Sequence, residues 1–379
     1  MKILFLINKA GDGGSERFVL DLAEELNRRG NECVLGYCLE GPLTERAKAA
    51  GIRTVRLGLE RKDFFSAPGR IAELCRLEGI DVIHAQFPRE NWYALRSLKH
   101  YGRPRVVYTC HWYQDQGARW RRINKAFSDR QFAAAAVYDE GAEVLKSNGF
   151  ASEKVCVIHN GVRLGRAAQT GTGDAGRAGQ TGTTGTGRAG QANAQGKAAD
   201  VFECCVLSRY SPEKGLDMLL DSIKLIDTDR PLRCTIYGDG GLYDHIAGRI
   251  KTEGLEGRVV QAGYVQDTRS ALLRSDLYLS PSEKEGMSLG LLEALAAGLP
   301  CVVTDTGSSK SLAEDDPRCG VCVKVGDAEG FAAAIKRYME DRDLRLAHAK
   351  AALAKAQSYS MERVADEYLR LYENGPEGI

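Results

Sequence analysis

Short apolar runs alternate with segments of helical period from the first residues onward. Lys2–Ile7, Cys33–Leu39, Arg53–Leu57, Val82–Ala85, Val106–Cys110, Ala133–Val137 and Val155–Ile158 read as strands. Amphipathic helices lie between them. The clearest is Ser15–Arg29, where Phe18, Val19, Leu22, Ala23 and Leu26 share one face and Gly30 ends the pattern. Such alternation predicts a parallel sheet covered by helices on both faces, here over residues 1–163. The pattern resumes over residues 201–357 with Phe202–Leu207, Arg233–Tyr237, Val259–Ala262, Leu277–Leu279 and Cys301–Thr304, and with helices that include Leu216–Leu225 and Leu242–Glu253. A last helix is predicted over Met361–Tyr372, within a closing segment 358–379. It carries Met361, Val364, Ala365, Tyr368, Leu369 and Tyr372 on one side.

Residues 164–200 break this alternation. Gly165-Arg166-Ala167-Ala168-Gln169 recurs with a period of eleven as Gly176-Arg177-Ala178-Gly179-Gln180 and Gly187-Arg188-Ala189-Gly190-Gln191. No apolar residue larger than Ala follows Leu164 in the segment, so it has nothing to pack and reads as a flexible linker. At the N-terminus, the run Ile3–Ile7 is too short for a signal peptide or a membrane span. The reading is a cytoplasmic protein that meets a membrane only from its inner face. A net charge of +1 excludes a general nucleic-acid binder. Eleven irregularly spaced cysteines fit a reducing compartment and predict neither zinc nor a disulfide framework.

The stretch Ser282–Pro300 is the most informative for chemistry. Glu285 sits in a loop beside Gly286, after the apolar run Leu277–Leu279. Glu293 follows eight residues later, in a helix that Gly298 and Pro300 terminate. A loop entering a helix presents backbone N–H groups that suit a phosphate. Two flanking carboxylates suit the hydroxyls of a sugar and a ribose, which donate to them. The run therefore points to a nucleotide sugar. In the loop Ser208-Arg209-Tyr210-Ser211-Pro212-Glu213-Lys214-Gly215, Arg209 and Lys214 could stabilise the charge of a departing diphosphate. Against that reading stands a surface ion pair with Glu213. Gly11-Asp12-Gly13-Gly14 opens the first long helix, but Glu16 replaces the third glycine of a dinucleotide fingerprint. His111 ends a strand, where ligands of open α/β sheets bind. Asp227-Thr228-Asp229 reads as a solvated turn.

Together these segments resemble the family 4 glycosyltransferases, whose signature includes Glu-x7-Glu. The resemblance covers both domains outside the insert. It implies the GT-B fold, an α/β architecture of two Rossmann-like domains facing across a cleft, with the final helix crossing back to the first. It also implies a retaining enzyme that moves a sugar from a nucleoside diphosphate, UDP or GDP, to a glycan or lipid-linked acceptor of envelope or exported polysaccharide synthesis. The first domain would take the acceptor and the second the donor, with no cofactor and no metal. In family terms Arg209 and Lys214 hold the diphosphate, and Glu293 binds the ribose. Glu285 and the backbone of Met287, Ser288 and Leu289 hold the sugar. His111 lies near the reacting carbon, and Gly13 and Gly14 complete the site. Gly238 shapes the nucleotide pocket, and the backbone around Tyr264 and Val265 meets the base. Arg119–Phe127 reads first as an amphipathic helix with a solvated basic face, and the resemblance adds membrane contact. Arg163 and Thr306–Lys310 depart from the family pattern, leaving the donor sugar open. The alternatives are a glycoside hydrolase, an NAD-dependent dehydrogenase and a non-catalytic nucleotide-sugar scaffold.

Overall fold

The computed structural model describes residues 1–111, 115–165 and 201–379; almost all of the expected linker 164–200 lies outside the described residues. The chain forms two compact units, one of residues 1–161 with 361–379 and one of residues 162–360.

The first unit holds a seven-stranded sheet: β1 (Lys2–Lys9), β2 (Glu32–Leu39), β3 (Arg53–Arg56), β4 (Val82–Ala85), β5 (Arg105–Cys110), β6 (Ala133–Ala136) and β7 (Val155–Val157). Its spatial order is β3-β2-β1-β4-β5-β6-β7, and every pair is parallel. Ile3 to Ile7 are at most 1% exposed, because a parallel sheet buried on both faces calls for a continuous apolar run. Helix Gly14–Arg28 buries Phe18, Val19, Leu22, Ala23 and Leu26, the face read from the sequence.

Helix Met361–Asn374 packs in this unit. Tyr368, Leu371 and Tyr372 are buried while Leu369 is half-buried, so the covered stripe follows positions 361, 364, 365, 368, 371 and 372. A buried hydrogen-bond chain ties it to the sheet. Tyr372 Oη meets His84 Nδ1 at 2.7 Å, His84 Nε2 meets Thr109 Oγ1 at 2.7 Å, and Thr109 Oγ1 meets Tyr368 Oη at 2.7 Å. Burial pushes the His84 imidazole down to about 3, so it stays neutral.

The second unit holds β8 (Phe202–Leu207), β9 (Leu232–Tyr237), β10 (Val259–Gly263), β11 (Leu277–Ser280), β12 (Cys301–Thr304) and β13 (Gly320–Val323). The order is β10-β9-β8-β11-β12-β13, again all parallel. Leu216, Leu219, Leu220 and Ile223, spaced i, i+3, i+4, i+7, lock helix Leu216–Leu225 into a core with Phe202, Phe331 and Tyr338. Strand β13 (GVCV) is too short and glycine-led to stand out as an apolar run in the sequence. The sequence also contains one Cys-x2-Cys pair, Cys319 and Cys322, but it does not form a cluster. The Cys319 thiol is hydrogen-bonded to the Leu312 carbonyl, whereas Cys322 lies near the Val323 carbonyl. Among the described residues no group of three metal-binding side chains occurs.

Both sheets reverse their winding direction beside their first strand. The reversal falls between β1 and β4 in one unit and between β8 and β11 in the other. Loops at the carboxyl ends of such strand pairs part from one another and leave room for a ligand.

Candidate functional site

In the second unit, the loops after β8 and β11 bring Lys214 and Glu285 together. The turn Pro212–Lys214 is tied to the next loop by the Glu213 carbonyl, which accepts from Glu283 N at 2.8 Å and Lys284 N at 3.2 Å. Gly215 has φ +62, and a side chain there would collide with the Pro281 carbonyl, so only glycine lets the two loops approach this closely. Lys214 Nζ consequently lies 2.5 Å from Glu285 Oε2, and both side chains are about 15% exposed. Ser282 Oγ donates to the same carboxylate oxygen at 3.4 Å. Thr304 in β12 donates in turn to the Ser282 carbonyl.

Behind Glu285, Ser288 caps helix Leu289–Ala296, its Oγ accepting from Leu291 N at 3.3 Å. Tyr278 of β11 points beneath this helix start. A Cβ at Gly290 would stand 2.7 Å from its hydroxyl. Burial, and then the neighbouring Cys205, Glu285 and Glu293, hold the Tyr278 phenol well above its ordinary range. Both acids of the Glu-x7-Glu spacing thus act on one buried phenol. On the other side of the loop, Gly307 has φ +48 and packs on the carbonyls of Glu285 and Gly286, while Ser308 N donates to Gly286 O at 2.9 Å. The segment Thr306–Lys310, which departs from the family pattern, therefore braces the loop that carries Glu285.

Arg209 is 72% exposed and meets Glu213 at 3.3 Å, the ion pair weighed as its structural reading. An exposed pair of this kind is worth little and leaves the guanidinium available to a ligand at small cost. The Gly238 turn is held beside the Tyr264 loop by a Gly238 N to Gly263 O hydrogen bond of 2.8 Å. Tyr264 itself is half exposed. Met287 is buried, and Leu289 and Glu293 are half-buried.

In the first unit, the glycine turn Gly11–Gly14 is covered by its own chain. The Glu16 carboxylate folds back so that a Cβ at Gly13 would stand 2.7 Å from Oε2, and Ser15 Oγ donates to that oxygen at 2.8 Å. A carboxylate at a helix N-terminus is favourable, and here it lies over the turn where a dinucleotide fingerprint would admit pyrophosphate. Asp12 pairs with Arg46. His111, at the end of β5, meets Gln86 Oε1 at 3.0 Å and lies edge-on to Phe18 at 5.4 Å. Burial lowers its imidazole to about 4, so it is neutral near pH 7.

A feature invisible in the sequence lies next to the β1–β4 reversal. A cavity of about 600 Å³ is lined by Asn8, Lys9 and Glu16, by Phe64, by Phe87–Tyr93 except Asn91, and by Arg119, Trp120 and Ile123. Trp120 and Ile123 belong to helix Gly117–Phe127, whose Arg119, Arg121, Arg122 and Lys125 are exposed. The aromatic residue interleaved in that basic run thus faces the cavity.

The class these sheets and loops define is that of GT-B proteins. HepE from Anabaena, solved with UDP, superposes with a TM-score of 0.78 at 19% identity, covering 98% of this chain and all of that one. Staphylococcus aureus TarM superposes at 0.75 with 13% identity, covering 98% of this chain and all of that one. The family description "Glycosyltransferase Family 4" matches residues 12–166, and "Glycosyl transferases group 1" matches residues 189–355. The chain belongs to the family 4 glycosyltransferases. An Escherichia coli UDP-Gal:α-D-GlcNAc-diphosphoundecaprenol α-1,3-galactosyltransferase is 23% identical over 72% of this chain and 70% of that protein. The Rhizobium meliloti lipopolysaccharide core biosynthesis glycosyltransferase LpsE is 30% identical over 45% of this chain. The match spans about half the length of LpsE (49%). No helix of the described residues is long and apolar enough to cross a membrane.

Proposed function

We propose that this protein transfers a sugar, with retention of configuration, from a UDP-sugar to a glycan or lipid-linked acceptor of envelope polysaccharide. The observation that carries this reading is the Lys214–Glu285 pair at the β8–β11 reversal, with Arg209 on the same loop. UDP is preferred over GDP because HepE was solved with UDP and the E. coli relative is named for UDP-Gal. On donor entry, the Lys214 ammonium exchanges its carboxylate partner for a diphosphate oxygen, and Arg209 adds a second cation. Glu285, freed of that pairing, accepts from the sugar hydroxyls, with the N–H groups at Met287–Leu289 alongside. Glu293 takes the ribose hydroxyls, while the turns at Gly238 and Tyr264-Val265 border the base.

During transfer the bond from the anomeric carbon to the phosphate oxygen breaks as the acceptor oxygen bonds to that carbon on the same face. The acceptor proton passes to the departing phosphate oxygen. The protein supplies fixed cations where charge accumulates, with no enzyme nucleophile. In the first unit, neutral His111 and the Gly13-Gly14 turn are assigned to the transfer by their resemblance to the family motifs alone. The covering Glu16 carboxylate weighs against a dehydrogenase. The exposed cations of helix Gly117–Phe127 support a second part of the proposal, contact with anionic lipid at the inner membrane face.

A thermal-shift screen against UDP, GDP and their sugars tests the donor assignment. Stabilisation by UDP and its sugars with no response to GDP is expected, since a ligand of the native state raises its melting temperature. Stabilisation by GDP alone would replace the assignment.

A further inference from the structure

Gln86 and His111 directly follow β4 and β5, two neighbouring parallel strands, and β4 borders the winding reversal of the first unit. Gln86 N donates to the Leu6 carbonyl at 3.3 Å, which continues the pairing of β4 with β1. Its side chain is fully buried. Gln86 Oε1 meets His111 Nε2 at 3.0 Å, while Gln86 Nε2 has no hydrogen-bond partner among the described residues. A buried donor without an acceptor costs free energy, and an apolar side chain of the same size would fill the space without that cost. What the glutamine adds is the acceptor that faces the imidazole.

That acceptor decides where the proton of His111 sits. An amide oxygen accepts and cannot donate, so His111 donates to it from Nε2. Burial holds the ring at about 4, so near pH 7 it is neutral and carries one N–H. The proton is therefore on Nε2, and Nδ1 keeps its lone pair. The ring is also held by Phe18, which is 1% exposed and meets it edge-on at an interplanar angle of 70°. A carboxylate in place of Gln86 would accept from the same N–H but would favour a second proton on the ring. The glutamine sets the tautomer without adding charge. His84, the neighbouring buried imidazole, differs in using both ring nitrogens within the protein, on Tyr372 and Thr109.

We propose that Gln86 is a positioning residue that fixes His111 as the Nε2–H tautomer, so that Nδ1 meets the substrate as an acceptor for a hydroxyl. The proposal rests on the transferase reading, from which His111 takes its place in the transfer, and it states what the histidine offers there: a lone pair rather than an N–H.

Long-range proton–nitrogen correlation spectra of the full chain, labelled with nitrogen-15 histidine, show which ring nitrogen carries the proton, and the spectrum of His111→Asn identifies the signals. Wild type at pH 8 is expected to show a protonated Nε2 and a bare Nδ1. Gln86→Met keeps the volume but removes the acceptor, and should give a mixture of tautomers. Gln86→Glu keeps an acceptor oxygen and should restore the wild-type signature at that pH. UDP release is then followed with whichever of UDP-glucose, UDP-galactose and UDP-N-acetylglucosamine gives the largest thermal shift. Gln86→Met should lower kcat about tenfold with little change in KM, and Gln86→Glu should recover part of the loss. A wild-type His111 protonated on Nδ1 would overturn the proposal, as would a Gln86→Met protein with the wild-type tautomer and rate. Should Gln86→Met fail to fold, the wild-type spectrum still decides the tautomer, and a Gln86→Glu protein without the Nε2–H signature would count against the proposal. A wild-type rate in His111→Asn would strike the place of His111 in the transfer. A slow His111→Asn beside a Gln86→Met protein at the wild-type rate would strike Gln86 alone. No UDP release from wild type would strike the transferase reading, with the tautomer still decided by the spectra.

Discussion

In the second unit the loops after β8 and β11 press a lysine against a glutamate at 2.5 Å. In the first unit the corresponding region beside β1 and β4 encloses an aromatic cavity around one buried carboxyl. The topological position is the same, yet the chemistry differs. A site for a diphosphate needs fixed cations, and cations near a surface stay hydrated and paired until a ligand displaces the partner. The fold supplies the same place twice, and the side chains fill one with an ion pair and the other with an aromatic cavity around a buried carboxyl.

The largest expected effect is on the donor side. Lys214→Ala removes the cation that meets the developing charge, and a loss of about 10²–10³ in kcat is expected for one such donor of electrostatic stabilisation. Arg209→Ala should cost less, because the guanidinium is mostly solvated. Steady-state rates with the donor identified by thermal shift decide both, and equal losses would erase the distinction drawn between the two cations.

A pH profile separates the units next. The Glu90 carboxyl, at about 7 in the fold against an ordinary 4.5, contributes stability that is complete below 4.5 and lost as pH rises through 7. The difference amounts to roughly 3 kcal/mol. His84 and His111 have the opposite sign. Their imidazoles are held at about 3 and about 4, so their contribution is complete above 6.5 and is lost as pH falls through those values. Glu90→Gln should therefore flatten the decline of denaturant stability between pH 5 and pH 8 while leaving the acid limb in place. An unchanged decline would show that the carboxyl is ionised at little cost.

The backbone of the donor loop gives a smaller effect. Gly215→Ala places a side chain at φ +62 against the Pro281 carbonyl, at a cost of about 1–3 kcal/mol and with weaker UDP binding. Ser288→Ala removes the cap of helix Leu289–Ala296 and should cost about 1 kcal/mol by denaturant unfolding.

These differences explain what could be read before the structure. The residues proposed for the donor could be picked out because Arg209 and Lys214 lie in one short segment of the sequence and Glu285 and Glu293 in another. The pairing of Lys214 with Glu285 spans 71 positions and depends on Gly215 and the Glu213 carbonyl, which no local pattern announces. Most strands were legible as apolar runs. Strand β13 was not, since it begins at Gly320, where a missing side chain admits the Cys301 sulfur. The cavity was illegible for a related reason. Glu90, Asn91 and Ser97 are polar residues buried on a short helix, and the periodicity that marks a covered face counts only apolar positions. The basic run Arg119–Phe127 could be read as an amphipathic helix, but that Trp120 turns toward a cavity depends on the packing of helix Pro88–Ser97.

The division of labour within the donor site is the central claim, and calorimetric titration of UDP and of a UDP-sugar into wild type, Lys214→Ala and Glu285→Gln tests it directly. The account predicts that Lys214→Ala weakens both ligands by about tenfold or more, whereas Glu285→Gln weakens only the UDP-sugar. UDP affinity unchanged by Lys214→Ala, or UDP and UDP-sugar weakened alike by Glu285→Gln, would contradict it.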